Sequence, residues 1–584
     1  MYVSNGYPRW AASAVWYQIF PERFCRANAE NPITASDIEG TTPFSLNHRN
    51  AWGIHDWTSE WYALDANEKK NDANLKTNLL RRRYCGDIKG IISKLDYLKQ
   101  LGVNALYFTP LQYSPSLHKY DGTNFLHTDP FFGSNPRADI QTIAHEDFND
   151  FDNASWTIAD RETLQLIREA HLRGMRIIFD GVFNHIGYNS RPFQDVLKHR
   201  QKSKYASWFH IDFEKSTSKS LNYQKFWGCV KEMPKLNYSS DEVRRYVFAT
   251  LKRWLRPVVD GKEVDGIDGW RIDHAIGVPS TFWAQAHKFV KSLKPDSLFI
   301  GELIEDEDII KPYLNDHIFD SVMNYGLLTE MCRFFAAEKN CITGNEFDKN
   351  LNYLLNLYPT DSNYLMQNML GTHDTERIAS YIVNRRLKKF GNIGMFFANS
   401  HAEDPHYNTR KPFKRERQIQ KMMAVFQFGF IGAPMIYYGD EAGMWGANDP
   451  DCRKPMMWKE LKFSGEHPVI NGIQSHKTDR VKFDDGLFSF YQKLTALRRE
   501  HKSLTTGTFH TLAAPDGLRL YSFARRCQGD EVIFVFNREK QSCRIDIKSK
   551  AKMLTDYFSG QEYIKKSTGL YQLEIEPNSM LVLL

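Results

Sequence analysis

The 584-residue chain is 42% hydrophobic and 25% charged, ordinary globular proportions that exclude a disordered, collagen-like or coiled-coil protein. Its 76 basic and 70 acidic residues leave a net charge of +6, too weak over this length to mark a nucleic-acid or membrane binder. Eight scattered cysteines without a C-x-x-C pair argue against a disulfide framework or a zinc site and for reduced thiols in a cytoplasm. The N-terminus, MYVSNGYPRWAASAVWYQIF, lacks the basic start, apolar run and cleavage site of a secretory leader.

In chain order, short apolar runs at 14–20, 103–109, 176–180, 269–273, 298–302, 321–325, 367–373 and 434–439 predict strands buried on both faces. Helical patterns lie between them. The clearest spans 241–255, with Val243, Val247, Leu251 and Trp254 on one face and a capping box from Ser239 to Glu242. Alternation of this kind predicts an α/β protein with a parallel sheet, and eight units predict one closed (β/α)8 TIM barrel. The basic run Arg81–Arg82–Arg83 reads as solvated surface. The apolar stretch from Met422 to Tyr438 is interrupted by Gln427, Gly429, Gly432 and Pro434, so it predicts buried core rather than a membrane span.

Two connections, 28–84 and 186–238, are too long for simple turns, and such segments carry function or form subdomains. The first holds Trp52, Trp57, Trp61 and Tyr62, read as a small aromatic core pinning the loop, with a stacking wall for a longer ligand as the alternative. Beyond residue 503 alternating strands at 518–523, 531–536, 542–547 and 580–583 predict an all-β domain. The expected organisation is therefore a barrel over 1–185 and 241–502, a small inserted domain B over 186–240, and a C-terminal β-sandwich over 503–584.

The C-terminal ends of barrel strands are where catalytic groups gather. Here they read DGVFNH (Asp180, Asn184, His185), GWRID (Arg271, Asp273), GE (Glu302) and GTHD (His373, Asp374). Carboxylates facing each other ~5–5.5 Å apart can cleave an acetal with retention, one as nucleophile and one as acid. Adjacent strands, ~4.8 Å apart, give Asp273 and Glu302 that spacing. Arg271 is expected to lower the pKa of Asp273, and repulsion from Asp273 and Asp374 to raise that of Glu302. Asp374 would hold hydroxyls more tightly in the transition state than in the ground state.

These segments, with YQIFPERF (17–24), HKYDGTNF (118–125), MPKLN (233–237), LGTHDTER (370–377) and GDEAGMWGANDPDCRKPM (439–456), resemble the α-amylase superfamily. More narrowly they resemble its neopullulanase, cyclomaltodextrinase and maltogenic amylase group. The resemblance covers about residues 12–584. It implies Asp273 as nucleophile, Glu302 as general acid/base and Asp374 as transition-state stabiliser. It further implies that Arg271 orients the nucleophile, that His185 and His373 hydrogen-bond the sugar being cleaved, that Tyr120 stacks on it, and that Asp449 and Arg453 bind the next sugar on the non-reducing side. The implied activity is retaining hydrolysis of α-1,4 links in maltooligosaccharides, cyclodextrins or related glucans, with transglycosylation. No cofactor is required, and no nucleic-acid or membrane partner is expected.

The departures from the group carry their own expectations. The chain starts almost at the first barrel strand, without the group's N-terminal β-sandwich, which favours a monomer. The nucleophile is followed by His274-Ala275-Ile276-Gly277 where the group has V-A-N-E, and Glu302 by Leu303-Ile304-Glu305 where it has I-W-H. Both changes face the leaving-group side and are expected to alter acceptor binding. In the group's calcium loop Asp87 remains, but Arg26 stands where a ligand would be expected, which disfavours a structural calcium. Two rival readings are a mainly transferring 4-α-glucanotransferase and a non-catalytic carbohydrate-binding or scaffold protein.

Overall fold

The computed structural model describes residues 6–27, 33–38, 53–70, 74–218, 220–387, 399–566 and 569–584. Eight parallel strands form one sheet: β1 (Trp16–Ile19), β2 (Ala105–Phe108), β3 (Arg176–Gly181), β4 (Gly269–Ile272), β5 (Leu298–Gly301), β6 (Ser321–Val322), β7 (Gln367–Met369) and β8 (Ala433–Tyr437). Each pairs with its neighbours in chain order, and β1 also pairs with β8. A parallel bridge from Met323 to Gln367 joins β6 to β7 and closes the ring. The expected (β/α)8 barrel is the observed one, each strand falling at or inside its predicted segment apart from one extra residue at an end of β3 and of β8. Every β1, β2, β4 and β5 residue is buried, which is why these strands read as continuous apolar runs instead of alternating ones.

The helix at Asp241–Leu255 occupies its predicted span and buries Val243, Val247, Leu251 and Trp254. Its cap differs from expectation: Ser240, not Ser239, is the N-cap, and its hydroxyl bonds the Glu242 carboxylate instead of a backbone N–H. Residues 422–438 are split between the helix Lys414–Gly429 and β8, both deep in the core. Among the described residues no helix is long and apolar enough to cross a membrane.

Two of the three arginines of the run are not solvated, while Arg81 is half-buried. Arg82 and Arg83 are 1% and 3% exposed; Arg82 grips the Glu68 carboxylate and the carbonyls of Trp61 and Ala63, and Arg83 donates to the Pro115 carbonyl. Such burial is tolerated because every charge meets a partner. Trp61 and Tyr62 pack with Tyr84, Tyr407 and Val469 in a satellite core, and the Trp57 and Trp61 indoles donate to the Met456 carbonyl and the Asp451 carboxylate. The described part of the insertion is thus a pinned aromatic core; Trp52 lies outside the described residues.

After β3 the chain makes two antiparallel pairs, Ile211–Thr217 with Ser220–Tyr223 and Lys225–Phe226 with Val230–Pro234. The return strand is sewn to the end of β3: Leu236 N–H donates to the Asn184 carbonyl, and Ile186 N–H to the Pro234 carbonyl. The C-terminal region is all-β. Thr508–Ala513, Leu520–Cys527, Asp530–Asn537 and Ser579–Leu583 form an antiparallel sheet, backed by the pair Cys543–Ile547 and Tyr571–Ile575. Along Asp530–Asn537 the two faces alternate. Val532, Phe534 and Phe536 enter the barrel core, while Ile533 and Val535 enter the domain's own core.

Candidate active site

Strand register positions the acids. Ile272 on β4 pairs with Gly301 on β5, so Asp273 and Glu302 are the next residues on two adjacent strands. The ladder continues past them, with Glu302 N–H on the Ile272 carbonyl at 2.9 Å and Asp273 N–H on the Gly181 carbonyl at 3.1 Å. Arg271, fully buried on β4, lies opposite Asp180 on β3. Its Nη1 donates to both Asp180 oxygens at 2.8 Å and to Asp273 Oδ1 at 3.1 Å, and its Nη2 contacts Glu302 Oε1. One planar guanidinium therefore ties three carboxylates from three strands.

At Asp273 the charge balance differs from the sequence expectation. Burial and the Glu302 charge raise Asp273 well above the ordinary carboxylate range, and Arg271 only partly offsets them. Burial likewise lifts Asp180 to about 6, against its bonds from Arg271 and Tyr107.

The histidines are held neutral by burial. His185 is pushed down to about 4, chiefly by desolvation; its Nε2 donates to the Tyr120 carbonyl at 2.9 Å and its Nδ1 faces the Asn184 amide at 3.2 Å. Both ring nitrogens thus already have protein partners. His373 is held well below its usual range by burial and then by Arg453 and Arg271. Gln18 of β1 donates to His373 Nδ1 at 2.9 Å, leaving the proton on Nε2, which faces the Tyr120 hydroxyl at 2.5 Å and Asp374 Oδ2 at 3.1 Å. The Tyr120 hydroxyl donates onward to Asp180 Oδ2 at 2.9 Å, and its ring lies parallel to His373, centroids 5.2 Å apart.

Asp374, on the seventh strand's rim, is joined by Arg453 to Asp449: Nη2 reaches Asp374 Oδ1 and Nη1 reaches Asp449 Oδ1, each at 3.0 Å. Arg453 Nε also donates to the His373 carbonyl at 2.7 Å. Beside them a cavity of about 220 Å³ is lined by His118, Asp121, Met233, Asp449 and Arg453. The structure thus brings all nine candidate residues into one rim. The sequence reading missed Gln18 and Tyr107, whose hydroxyl donates to Asp180 at 2.8 Å. It also missed Tyr325, whose hydroxyl lies 3.5 Å from Glu302 Oε1. A polar residue inside an apolar strand, Gln18 in WYQI, is the signal that was available. Asp87 caps a helix, its two oxygens taking the Gly90 and Ala27 N–H groups.

The alpha-amylase catalytic-domain family matches residues 18–147 and 145–507. Neopullulanase 2 of Thermoactinomyces vulgaris is 34% identical over 580 residues, 99% of this chain and 78% of that protein. A cyclomaltodextrinase of Geobacillus thermopakistaniensis is 32% identical over 96% of this chain and 75% of its own length. A solved cyclomaltodextrinase structure superposes with a TM-score of 0.70 at 29% identity, covering 99% of this chain and 79% of the other. With its closed barrel, its rim of acids on successive strands and these matches along almost its whole length, the chain belongs to the alpha-amylase family of glycoside hydrolases.

Proposed function

We propose that the chain is a retaining α-glucan hydrolase that cleaves α-1,4 links of maltooligosaccharides, cyclodextrins or related glucans, with transglycosylation to sugar acceptors. The observation that carries it is the matched register of Asp273 and Glu302 on adjacent strands, bridged by Arg271. The relatives named neopullulanase and cyclomaltodextrinase support the substrate class.

In this reading Glu302 protonates the glycosidic oxygen while ionised Asp273 attacks the anomeric carbon. A water deprotonated by Glu302 then releases the sugar from Asp273. Arg271 aligns the Asp273 carboxylate, and Asp374, fixed by Arg453 and His373, meets the ring hydroxyls. Tyr120 and His373 form the floor beneath that sugar. Asp449 and Arg453 hold the next sugar beside the 220 Å³ cavity. All eight cysteines are free, which supports a cytoplasmic location, and no step calls on a metal or other cofactor.

The test compares initial rates on β-cyclodextrin and soluble starch, in EDTA, for the wild type and Asp273→Asn. Wild-type turnover of either glucan, lost by about 10³-fold or more in the variant, is expected. Near-normal turnover by Asp273→Asn would remove the proposal. Longer oligosaccharides formed from maltotriose without net gain of reducing ends would make the chain a glucanotransferase instead.

A further inference from the structure

Strand β1 reads WYQI, and all four residues are buried. Gln18 is 0% exposed, an amide where its neighbours on the strand are apolar or aromatic. The sheet has no need of the side chain. Backbone groups carry the pairing, with Gln18 set beside Tyr107 of β2 and Tyr437 of β8 and its carbonyl taking the Tyr438 N–H at 3.0 Å. The amide oxygen has no hydrogen-bond partner among the described residues, and a buried polar group left half unpaired costs stability. A local rule broken without a packing gain marks a functional position. Among the described residues the side chain makes one bond, from its Nε2 to His373 Nδ1 at 2.9 Å.

That bond decides which imidazole nitrogen carries the proton. The Tyr120 hydroxyl gives its hydrogen to Asp180 Oδ2 at 2.9 Å, so toward His373 Nε2, 2.5 Å away, it can only accept. Asp374 Oδ2, 3.1 Å from the same nitrogen, accepts as well. Both contacts need the proton on Nε2, and Nδ1 must then receive a hydrogen from outside the ring. With the amide turned over, Gln18 would draw the proton to Nδ1 and set a bare Nε2 against the Asp374 carboxylate. Glutamine suits the task because its amide donates without titrating. His127 shows the alternative. Asp160 at 2.7 Å and Glu146 at 2.9 Å flank its two nitrogens, and against burial they hold its pKa above the usual value. Burial, then the charges of Arg453 and Arg271, hold His373 neutral against the pull of Glu302, with His118 a further neighbour.

We infer that Gln18 is a positioning residue. It locks His373 in the neutral tautomer with the proton on Nε2, so that the ring donates to Asp374 and to the hydroxyls of the sugar being cleaved. The inference rests on the glucan-hydrolase reading.

The test measures kcat and KM across the active pH range for the full-length wild type, Gln18→Met and Gln18→Glu. The substrate is whichever of β-cyclodextrin and soluble starch the wild type turns over faster. Methionine fills the same space without a donor. Gln18→Met is expected to lose roughly 10-fold in kcat at every pH, with KM within about 2-fold of the wild type, because the contact tightens in the transition state. In Gln18→Glu the new carboxyl and His373 share one proton at low pH, which keeps Nε2 protonated. Once that proton leaves, the carboxylate draws the ring proton to Nδ1. The kcat of Gln18→Glu relative to the wild type should therefore fall by roughly 10-fold as pH rises through that ionisation. A Gln18→Met enzyme as fast as the wild type, or one that loses through KM alone, would overturn the inference. So would a loss in Gln18→Glu that is the same at every pH, the mark of a merely structural role. A wild type inactive on both glucans would instead bring down the hydrolase reading, and the inference with it.

Discussion

At Asp273 burial outweighs the neighbouring cation. Arg271 draws Asp273 downward, as its position in GWRID predicted, yet desolvation and Glu302 win, because burial depth cannot be read from spacing. Glu441 repeats the lesson away from the proposed chemistry. The hydroxyls of Tyr97 and Tyr17 donate to it at 2.6 and 2.8 Å, but burial still lifts its carboxyl from 4.5 to about 7. Below pH 4.5 the folded and unfolded chains both carry that proton; between pH 4.5 and about 7 only the folded one does. Stability should therefore fall as pH rises through that window, by on the order of 3 kcal/mol from this group. Glu441→Gln should flatten that part of the curve, read as the denaturation midpoint at pH 5 and pH 8.

At the scale of elements, the barrel was legible because buried parallel strands leave long apolar runs, and the acids at their ends stood out against them. What escaped notice were elements defined by partners distant in sequence. Tyr571–Ile575 alternates cleanly, as YQLEI, but its place beside Cys543–Ile547 is a tertiary fact. Ser239 was taken for a cap because the capping-box spacing fits it, whereas the N-cap is Ser240, one residue later. A cap that does form joins elements as well as ending one. Asp160 closes the capping box of the helix Ile158–Leu172. It also receives His127 Nδ1 and Thr128 N–H at 2.7 Å and Arg253 at 3.1 Å. Though burial opposes it, His127 and Arg253 bring Asp160 down to about 2. Asp160→Asn removes the charge while leaving those buried cations in place, and should cost about 3–5 kcal/mol in equilibrium unfolding.

Across the whole molecule, the C-terminal sheet and the barrel share one core. Phe426 of the helix Lys414–Gly429 meets Phe523 and Phe536 at 5.4 and 5.9 Å, and Arg525 donates to the Gly429 carbonyl at 2.9 Å. A Cβ on Gly429 would lie 2.7 Å from the Phe534 ring, so the helix comes this close only through a glycine. The chain should accordingly unfold in a single calorimetric transition, with Phe534→Ala lowering stability by about 3–5 kcal/mol across all of it. A separate early transition for the β-domain would show that the two halves fold independently. Val532–Phe536 is an unbroken apolar run and not the alternating strand expected there, and the run has the same physical cause as in the barrel: both faces of the strand are internal.

The stitching of the Val230–Pro234 strand to the end of β3 bears on how specificity can change. The segment carrying His185 and the Val230–Pro234 strand hang from the same few peptide groups, so lengthening or shortening the hairpin would drag His185 with it. Variation is thereby channelled to the tip. A side chain exchanged at the turn leaves the acids where they stand.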